Sequence, residues 1–507
     1  MSRYTFKTRP YKHQVRAVKK MATLDFVGGL LMEPRTGKTK VAIDCIGIMH
    51  QDRGVNRVLV VGPVVAIQVW KEQLEANMPH KYRLTIWDRK GRKEQSLPPF
   101  GQDILDIVLI NYDAFSTPGD FRKDRKTGKP ITDSAGNKLR SKSVGGRYAL
   151  KKQLARWAPQ AIILDESHRI KSPSAKKSTM MHSLGKLADH RMILTGTVVT
   201  KSKRLFDVYS QWKFLNPERF NGMNFAEFKS EFGRWMKMDG YEKFLGTRNE
   251  NELHEQIHLD SFSITREECY DLPKQTTQII PVQLEESARV YDQMAEDMVA
   301  RIESGEITEA SIKLVQNLRL QQITSGFTKT SPTPAHPQGR LVEVGSEKLR
   351  AIGDRLEDLM EADEKVVIGA LYKHDIARLQ HLCAKELKVP TFVIQGGTPQ
   401  KDRAKAPNDF AKVRGGGVFI GQPAAAGEAI DLSSASILQW YSLTPSWVNF
   451  RQFSDRIALS DRPTFHEFFL AAGTSDFLLY ETLMEDGDIG KKMIMSPERL
   501  LRTGQGF

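Results

Sequence analysis

Short runs of β-branched and aliphatic residues alternate with stretches of helical periodicity in two separate parts of the chain. Four such runs lie in the first part, at residues 58–61, 107–110, 161–164 and 191–194, and four in the second, at residues 365–368, 391–394, 418–420 and 437–440. Strands that are separated by helices pair in parallel, and the helices cover both faces of the sheet. The sequence therefore predicts an α/β protein with two parallel sheets.

Between these two parts the alternation stops. Residues 284–301 and 308–322 have the spacing of amphipathic helices, and residues 328–339 are rich in proline and threonine. We therefore expect a helical section and a flexible connector between the two units. The expected bounds are 1–200 for the first unit, 201–337 for the helical section and connector, and 338–507 for the second unit.

A polar and basic insertion at about residues 116–143 interrupts the first unit. It contains eight lysines and arginines against three aspartates. The turn-forming residues Thr127-Gly128 and Ala135-Gly136-Asn137 favour a projecting hairpin, and its position after a strand end favours the ligand-binding side of the sheet. A solvated loop without a role has the same composition, so both interpretations stay open.

The net charge favours a polyanionic partner. The chain has 507 residues, with 75 lysines and arginines against 61 aspartates and glutamates, which gives a formal net charge of +14. Positive charge of this size favours nucleic acid, because lysine and arginine neutralise backbone phosphates. A charged surface that only keeps the protein in solution gives the same total, so the charge alone does not decide between the two.

The cysteines and the apolar runs bear on the compartment. Cys45, Cys269 and Cys383 lie far apart, which excludes a disulfide framework and a clustered zinc site and favours a reducing compartment. The first 20 residues are basic and lack the apolar run of a signal peptide, and polar and turn-forming residues interrupt the longest apolar stretch, at 58–70. We therefore expect no signal peptide, no membrane span and a cytoplasmic location.

A phosphate-binding loop is predicted at Gly37-Lys38-Thr39, which follows the apolar residues 29–32 and precedes a helical pattern from Val41. Glycine lets backbone amides approach phosphates, Lys38 would neutralise the β and γ oxygens, and the Thr39 hydroxyl would bind Mg²⁺. The pattern departs from the usual phosphate loop at Met32, where a glycine is common.

An acidic pair follows a predicted strand at Asp165-Glu166-Ser167-His168. Asp165 would hold Mg²⁺, directly or through water, and Glu166 would polarise the attacking water. The alternative is a solvated acidic turn, but ligands of parallel sheets bind beyond the carboxyl ends of the strands, where this pair lies. A third predicted strand ends in Thr195-Gly196-Thr197, whose hydroxyls would bridge the two groups.

With these three groups in order, the chain resembles helicase superfamily two, specifically its Swi/Snf-related DNA translocase branch, over nearly its whole length. The motifs that carry the resemblance are Arg9-Pro10-Tyr11-Lys12-His13-Gln14, Met32-Glu33-Pro34-Arg35-Thr36-Gly37-Lys38-Thr39, Val60-Val61-Gly62-Pro63 with Trp70 and Glu72, Asn111-Tyr112-Asp113, residues 205–217, Leu272-Pro273, Leu318-Arg319-Leu320-Gln321-Gln322 and Ser346-Glu347-Lys348-Leu349. Pro34 and Arg35 replace the family's Met-Gly. The resemblance implies two RecA-like lobes in tandem, with a helical section between them.

Two motifs of the second unit complete the resemblance. Residues 425–432 resemble the segment that couples ATP to nucleic acid, with alanine at two of the family's glycine positions. Gln452-Phe453-Ser454-Asp455-Arg456 matches the last motif, in which an arginine reaches the γ-phosphate. The family's second arginine is Leu459 here. Whether Arg456 serves alone or Arg462 substitutes stays open.

The resemblance implies an ATP- and Mg²⁺-dependent motor. Its catalytic residues are expected to be Lys38, Asp165, Glu166 and Arg456, its nucleotide-binding residues Gln14, Thr36, Gly37, Lys38, Thr39, Gly427 and Gln452, and its metal ligands Thr39 and Asp165. The expected partner is duplex or branched DNA, bound without sequence preference, and the chain is expected to act as a monomer. Two alternatives remain: a strand-separating DNA or RNA helicase, and a nucleic-acid-binding protein that does not hydrolyse ATP.

Overall fold

The protein consists of two compact units, which we describe separately. The computed structural model describes residues 4–87, 97–99, 104–115, 146–199, 205–238, 241–269, 275–303, 318–330, 339–427, 430–458 and 462–494. The first unit is formed by Met1–Tyr270 with Asp488–Phe507, and the second by Asp271–Gly487. The predicted insertion at 116–143 and Leu459 lie outside the described residues.

The first unit is built on a seven-stranded sheet. Its strands and the hairpin β7–β8 are β1 (Val27–Met32), β2 (Arg57–Gly62), β3 (Tyr82–Trp87), β4 (Leu105–Asn111), β5 (Ala161–Asp165), β6 (His190–Thr195), β7 (Gly233–Met238), β8 (Tyr241–Thr247) and β9 (Ser261–Ile264). The sheet has the order β3-β4-β2-β5-β6-β1-β9, and every neighbouring pair is parallel. The separate β7–β8 hairpin is antiparallel.

Helices cover both faces of this sheet. They are α1 (Lys12–Thr23), α2 (Lys38–Arg53), α3 (Val64–Asn77), α4 (Gly146–Trp157), α5 (Lys176–Gly185), α6 (Asp207–Leu215), α7 (Phe225–Phe232), α8 (Glu250–Leu259) and α9 (Arg266–Cys269), with 3₁₀ turns at Tyr112–Phe115 and Ser167–Ile170. Successive residues of β2 enter different cores: Leu59 and Val61 pack on one face, and Val58 and Val60 on the other. Because both faces are buried, the run is apolar throughout.

The second unit repeats this architecture. Its strands are β10 (Gln275–Val282), β11 (Phe327–Lys329), β12 (Leu341–Glu343), β13 (Lys365–Gly369), β14 (Thr391–Ile394), β15 (Gly417–Gly421), β16 (Ile437–Trp440) and β17 (Thr464–Ala471). Six of them form a parallel sheet in the order β10-β17-β16-β13-β15-β14. Val367 packs on one face of it, and Val366 and Ile368 pack on the other.

The helices of the second unit lie around this sheet. They are α10 (Ala288–Glu303), α11 (residues 318–324), α12 (Glu347–Glu361), α13 (Lys373–His381) with a π-helical turn at Leu382–Glu386, α14 (Gln400–Lys412), α15 (Pro423–Ala426), α16 (Trp447–Ser454) and α17 (Ser475–Ile494). Among the helices in the described part of the chain, none is both long enough and apolar enough to cross a membrane.

The predicted fold class is confirmed, because all eight predicted runs are strands of two parallel sheets. The section expected to be helical, residues 201–337, is shared between the two units and also contains strands. Within it β9 joins the first sheet beside β1, and β10 joins the second beside β17. Strand β9 has only four residues and β10 is largely exposed, so neither carries the long apolar run of a central strand.

Candidate nucleotide-hydrolysis site

The predicted phosphate loop lies at the carboxyl edge of the first sheet, between β1 and α2. Strand β1 ends at Met32, and the 16-residue helix α2 begins at Lys38. Gly37 caps this helix with φ 86° and ψ 29°, the left-handed conformation that glycine adopts without strain. The unpaired amides at the start of a long helix attract anions. The side chain of Met32 is buried in the core as the last residue of β1, which explains why glycine is dispensable there.

Side chains of helix α1 form hydrogen bonds with the phosphate loop. The carbonyl oxygen of Thr36 accepts a hydrogen bond from His13 Nε2 at 2.8 Å and one from Gln14 Nε2 at 3.5 Å. The buried Thr36 hydroxyl donates to the carbonyl oxygen of Glu33 at 2.8 Å. The Glu33 carboxylate in turn accepts from the backbone N–H of Arg266 at 2.9 Å. The loop is therefore held on both sides before any ligand binds.

Gln14 was expected to read the adenine base, and the structure gives its side chain a second role. The side chain is 3% exposed, and its Oε1 accepts from the Tyr11 backbone N–H at 3.0 Å. A Cβ atom at position 37 would lie 2.2 Å from Gln14 Nε2. Gln14 therefore packs against Gly37, and any larger residue at position 37 would require the Gln14 side chain to move, while its contact with adenine stays a prediction.

The acidic pair lies within electrostatic reach of Lys38. Asp165 is the last residue of β5, and Glu166 has the left-handed φ of 50°. Burial and the charge of Glu166 raise the pKa of Asp165, against the opposing effect of Lys38. Burial also acts to raise the pKa of Glu166, but Lys38 and the hydrogen bond from His168 outweigh it and lower that pKa. Glu166 is therefore the carboxylate that stays ionised as the pH falls.

Three hydrogen bonds fix Asp165. Its Oδ2 accepts from Trp70 Nε1 at 2.9 Å, and its Oδ1 accepts from the Glu166 backbone N–H at 2.9 Å. The Tyr112 hydroxyl donates to the Asp165 carbonyl oxygen at 2.9 Å. Trp70 and Tyr112 belong to motifs that carried the family resemblance in the sequence. Their shared contact with Asp165 could not be predicted, because it depends on β4, β2 and β5 being neighbours in the sheet.

The segment Thr195-Gly196-Thr197 at the end of β6 lies near both groups, while a bridge formed by its hydroxyls stays a prediction. The Thr195 hydroxyl lies 3.5 Å from His168 Nδ1, and the same nitrogen lies 3.3 Å from Glu166 Oε2. A Cβ atom at Gly196 would lie 2.7 Å from Pro34 Cδ. The segment therefore packs against the phosphate loop and also contacts the histidine of the acidic segment.

Gln211 is a functional candidate that sequence reasoning missed. Its Oε1 accepts from the Ser167 hydroxyl at 2.6 Å, and its Nε2 donates to the carbonyl oxygens of Val198 and Asp207, each at 3.0 Å. The side chain is fully buried in α6. In the sequence, helical spacing predicts an ordinary core position at residue 211. The only signal of a special role is that a polar amide side chain occupies a position expected to be buried.

The donor set fits Mg²⁺. This ion prefers hard oxygen ligands and is usually held by one or two protein groups together with phosphate oxygens and water. Asp165 supplies a carboxylate, and Thr39 supplies a half-buried hydroxyl in the first turn of α2. Within the described ranges no cluster of three or more His, Cys, Asp or Glu side chains could hold a metal ion.

The structure brings three predicted residues of the second unit together. Arg456 Nε donates to the carbonyl oxygen of Gln452 at 2.8 Å, and its Nη1 donates to that of Ile430 at 3.1 Å. A Cβ atom at Gly427 would lie 3.5 Å from the Cβ of Gln452. Gly427, Gln452 and Arg456 therefore form one cluster. Glu428 and Ala429, which follow Gly427 in its motif, lie outside the described residues.

Arg462 lies elsewhere in the second unit. Its Nη1 is 3.2 Å from Glu364 Oε1. Glu364 directly precedes β13, and Arg462 precedes β17 by two residues. Both residues thus stand at the amino edge of the parallel sheet, and the ion pair of Arg462 involves a different residue from the two hydrogen bonds of Arg456.

Comparisons with known proteins agree with this arrangement. A family model described as the SNF2-related domain matches residues 13–326, and one described as the helicase conserved C-terminal domain matches residues 347–458. The DNA annealing helicase and endonuclease ZRANB3 of Bos taurus is 24% identical over 367 residues, which are 68% of this chain and 31% of that protein. A probable chromatin-remodeling complex ATPase chain of Oryza sativa subsp. japonica is 22% identical over 432 residues, which are 82% of this chain and 34% of that protein.

One solved structure is similar over the whole chain. The SWI2/SNF2 ATPase core of Sulfolobus solfataricus in complex with dsDNA is 20% identical, covers 99% of this chain and 98% of its own, and has a TM-score of 0.42. The chain spans about a third of the length of the two curated relatives.

Proposed function

Since the chain belongs to the SNF2-related branch of helicase superfamily two, we propose that it hydrolyses ATP to move along duplex or branched DNA. The observation that carries the proposal is that Lys38, at the start of the helix after β1, and the pair Asp165-Glu166, at the end of β5, lie at the same carboxyl edge of the first sheet, where the charge of Lys38 acts on both carboxyls. A cation beside two carboxylates, after a glycine that caps a long helix, is the arrangement that phosphoryl transfer needs.

In the proposed reaction each side chain has one role. Lys38 neutralises the β- and γ-phosphate oxygens, while Thr39 and Asp165 hold Mg²⁺, which when bound withdraws charge from those oxygens. The Glu166 carboxylate accepts a proton as water forms a bond to the γ-phosphorus and the bond to the bridging oxygen breaks. The products are ADP and inorganic phosphate. The low pKa of Glu166 keeps it ionised for this role.

Arg456, rather than Arg462, is the proposed arginine finger. Support comes from the second unit alone. Arg456 donates a hydrogen bond to the carbonyl oxygen of Gln452, and the Gln452 side chain lies against Gly427. Both partners are predicted nucleotide-binding residues. Arg462 is paired with Glu364 at the amino edge of the sheet. A guanidinium that meets the γ-phosphate stabilises the charge of the transition state.

DNA is the proposed partner, bound through its phosphates and without sequence preference. The net charge of +14 supports a polyanion, and the bovine relative is by its name a DNA annealing helicase and endonuclease. Because the chain spans only about a third of that relative, its annealing and nuclease activities are not carried over. Three free cysteines are compatible with the proposed cytoplasmic location, and the monomeric state is part of the proposal.

The test is phosphate release from ATP with no nucleic acid, with duplex DNA, with single-stranded DNA and with RNA. We expect duplex or branched DNA to stimulate most, and binding to weaken steeply between low and physiological salt. Displacement of a third strand from a triplex, without release of a duplex strand, would support translocation. Release of the duplex strand would favour the alternative of a strand-separating helicase. No phosphate release under any condition would leave only a nucleic-acid-binding protein.

A further inference from the structure

Trp70 contacts the proposed metal ligand from a different element of the first unit. Its Nε1 lies 2.9 Å from Asp165 Oδ2, and the two residues are 95 positions apart in the chain. Trp70 is 1% exposed and Asp165 is 6% exposed. Helix α3, which carries Trp70, follows β2, and β2 pairs directly with β5, which ends at Asp165. The contact is therefore built into the central part of the sheet.

We propose that Trp70 is a positioning residue that sets the orientation of the Asp165 carboxylate, so that Mg²⁺-dependent nucleotide binding depends on the indole N–H. The inference rests on the proposed function, because it takes Asp165 as the ligand of Mg²⁺. It assigns a role to a tryptophan that would otherwise be a core residue of the first unit.

The two oxygens of Asp165 are oriented by different donors. The Glu166 backbone N–H holds Oδ1 and the Trp70 indole holds Oδ2. Two donors on opposite oxygens fix the plane of the carboxylate, and an ionised carboxylate still has further lone pairs for a cation. The Glu166 amide belongs to the adjacent residue, so the indole is the donor that ties the carboxylate to another element.

Mg²⁺ makes this orientation important. The ion requires nearly ideal octahedral geometry. A carboxylate that is free to rotate therefore binds Mg²⁺ more weakly, whereas Ca²⁺, which accepts a flexible geometry, is affected less. Groups that orient metal ligands typically change metal affinity or activity by about 10- to 100-fold when they are removed. Tyr112 holds the backbone carbonyl of Asp165 but not its carboxylate, so it does not replace the indole.

Trp70→Phe removes the N–H, and Trp157→Phe is the matched control. Trp157 is 2% exposed in the same unit, and its Nε1 has no hydrogen-bond partner among the described residues. Both variants lose a buried indole ring, but only Trp70→Phe also loses a hydrogen bond to Asp165. Benzothienylalanine at position 70, which keeps the shape of tryptophan and lacks the N–H, separates the hydrogen bond from packing if Trp70→Phe does not fold.

The measurement is binding of a fluorescent ATP analogue during a Mg²⁺ titration, together with Mn²⁺ binding by electron paramagnetic resonance. In Trp70→Phe and in the benzothienylalanine protein we expect the half-saturating Mg²⁺ concentration to rise about 10- to 100-fold. Binding of the analogue without metal should stay unchanged, and Trp157→Phe should match the wild type. A wild-type Mg²⁺ midpoint in the benzothienylalanine protein would overturn the inference. Absence of Mg²⁺-dependent binding in the wild type would instead overturn the proposed function.

Discussion

The hydroxyl of Ser167 donates to the side-chain amide oxygen of Gln211 at 2.6 Å, and both side chains are fully buried. This hydrogen bond ties the segment of the acidic pair to helix α6. The Gln211 amide also donates to the carbonyl oxygen of Val198, three residues after Thr195, whose hydroxyl lies near His168. One buried glutamine therefore joins two segments of the proposed site.

Gln211→Leu should destabilise the first unit. The change leaves the buried Ser167 hydroxyl and the Val198 carbonyl without a partner, which costs roughly 1–3 kcal/mol for each unsatisfied group. Urea unfolding measures the loss, and the ATPase rate should fall as the two segments loosen. The exposed Gln51→Leu on α2 is the control. Equal unfolding midpoints for the two variants would contradict the role of Gln211.

Lys38→Ala and Glu166→Gln should abolish turnover in different ways. Loss of the Lys38 charge should weaken ATP binding, because the phosphates lose a counter-charge. Loss of the Glu166 charge should leave ATP bound and lower the hydrolysis rate about 10²- to 10⁴-fold, the usual contribution of a general base. Nucleotide binding and single-turnover hydrolysis distinguish the two. Lys19→Ala, on the exposed side of α1, is the control; full activity in both test variants would refute the assignment.

Arg456→Ala should lower the ATPase rate by about 10³- to 10⁵-fold, as loss of an arginine finger does, with a much smaller change in ATP affinity. Arg462→Ala should have a much smaller effect, because the ion pair that it makes with Glu364 is half-exposed and such pairs contribute little. Steady-state rates and nucleotide affinities of the two variants test the choice. If Arg462→Ala is the more damaging change, the motif is aligned wrongly.

The buried carboxyl of Asp375 should make the second unit less stable as the pH rises. Burial raises the pKa of Asp375 to about 7, although the Ser442 hydroxyl donates to it at 2.6 Å. The unfolded carboxyl titrates near 3.8, so between these values the folded state binds more protons than the unfolded state. The free energy of unfolding therefore decreases with pH across this window.

Asp375→Asn removes that dependence. The difference in unfolding free energy between variant and wild type should grow by roughly 4 kcal/mol at most between pH 4 and pH 7 and then level off. Urea unfolding at several pH values measures it. Asp354→Asn, at an exposed position of α12, is the control variant. A flat difference for Asp375→Asn would mean that its carboxyl is ionised in the folded protein.

Replacing residues 121–140 of the basic insertion by a short Gly/Ser linker should leave basal ATPase activity nearly unchanged and reduce stimulation by DNA several-fold. The expected cause is loss of phosphate contacts from the densest group of positive charges in the sequence. DNA-stimulated rates and activity on branched substrates measure the effect. Equal stimulation in both proteins would favour a solvated loop without a role.

Central strands such as β2 and β5 could be predicted because strands buried on both faces have a continuous apolar run in the sequence. The central strand β17 escaped prediction because Thr464, His466 and Glu467 interrupt its apolar pattern. Strand β10 escaped prediction because its side chains are mostly exposed at an edge of the sheet. Strand β9 escaped because four residues are too few for a periodic pattern.

The charged residues of the site could be predicted, but the residues that hold them could not. Asp165 is the last residue of β5 and Lys38 begins the helix that follows β1, so both lie at the edge where ligands of parallel sheets bind. The contacts of Trp70 and Gln211 depend on which strands and helices become neighbours, and that order is a property of the assembled sheet. Gln14 shows the same limit, because its burial against Gly37 requires α1 to dock beneath the loop.

The hydrogen bonds of Asp165 also bear on how the first unit reaches its native state. Two of the three join residues that are 95 and 53 positions apart, and contacts between such distant segments form slowly, since closing long loops lowers chain entropy. The acidic pair therefore acquires its oriented form only after α3, β4 and β5 have assembled. During refolding, and as the chain leaves the ribosome, recovery of Mg²⁺-dependent nucleotide binding should accordingly lag behind the return of helical content. Nucleotide binding would then serve as a reporter of completed sheet assembly.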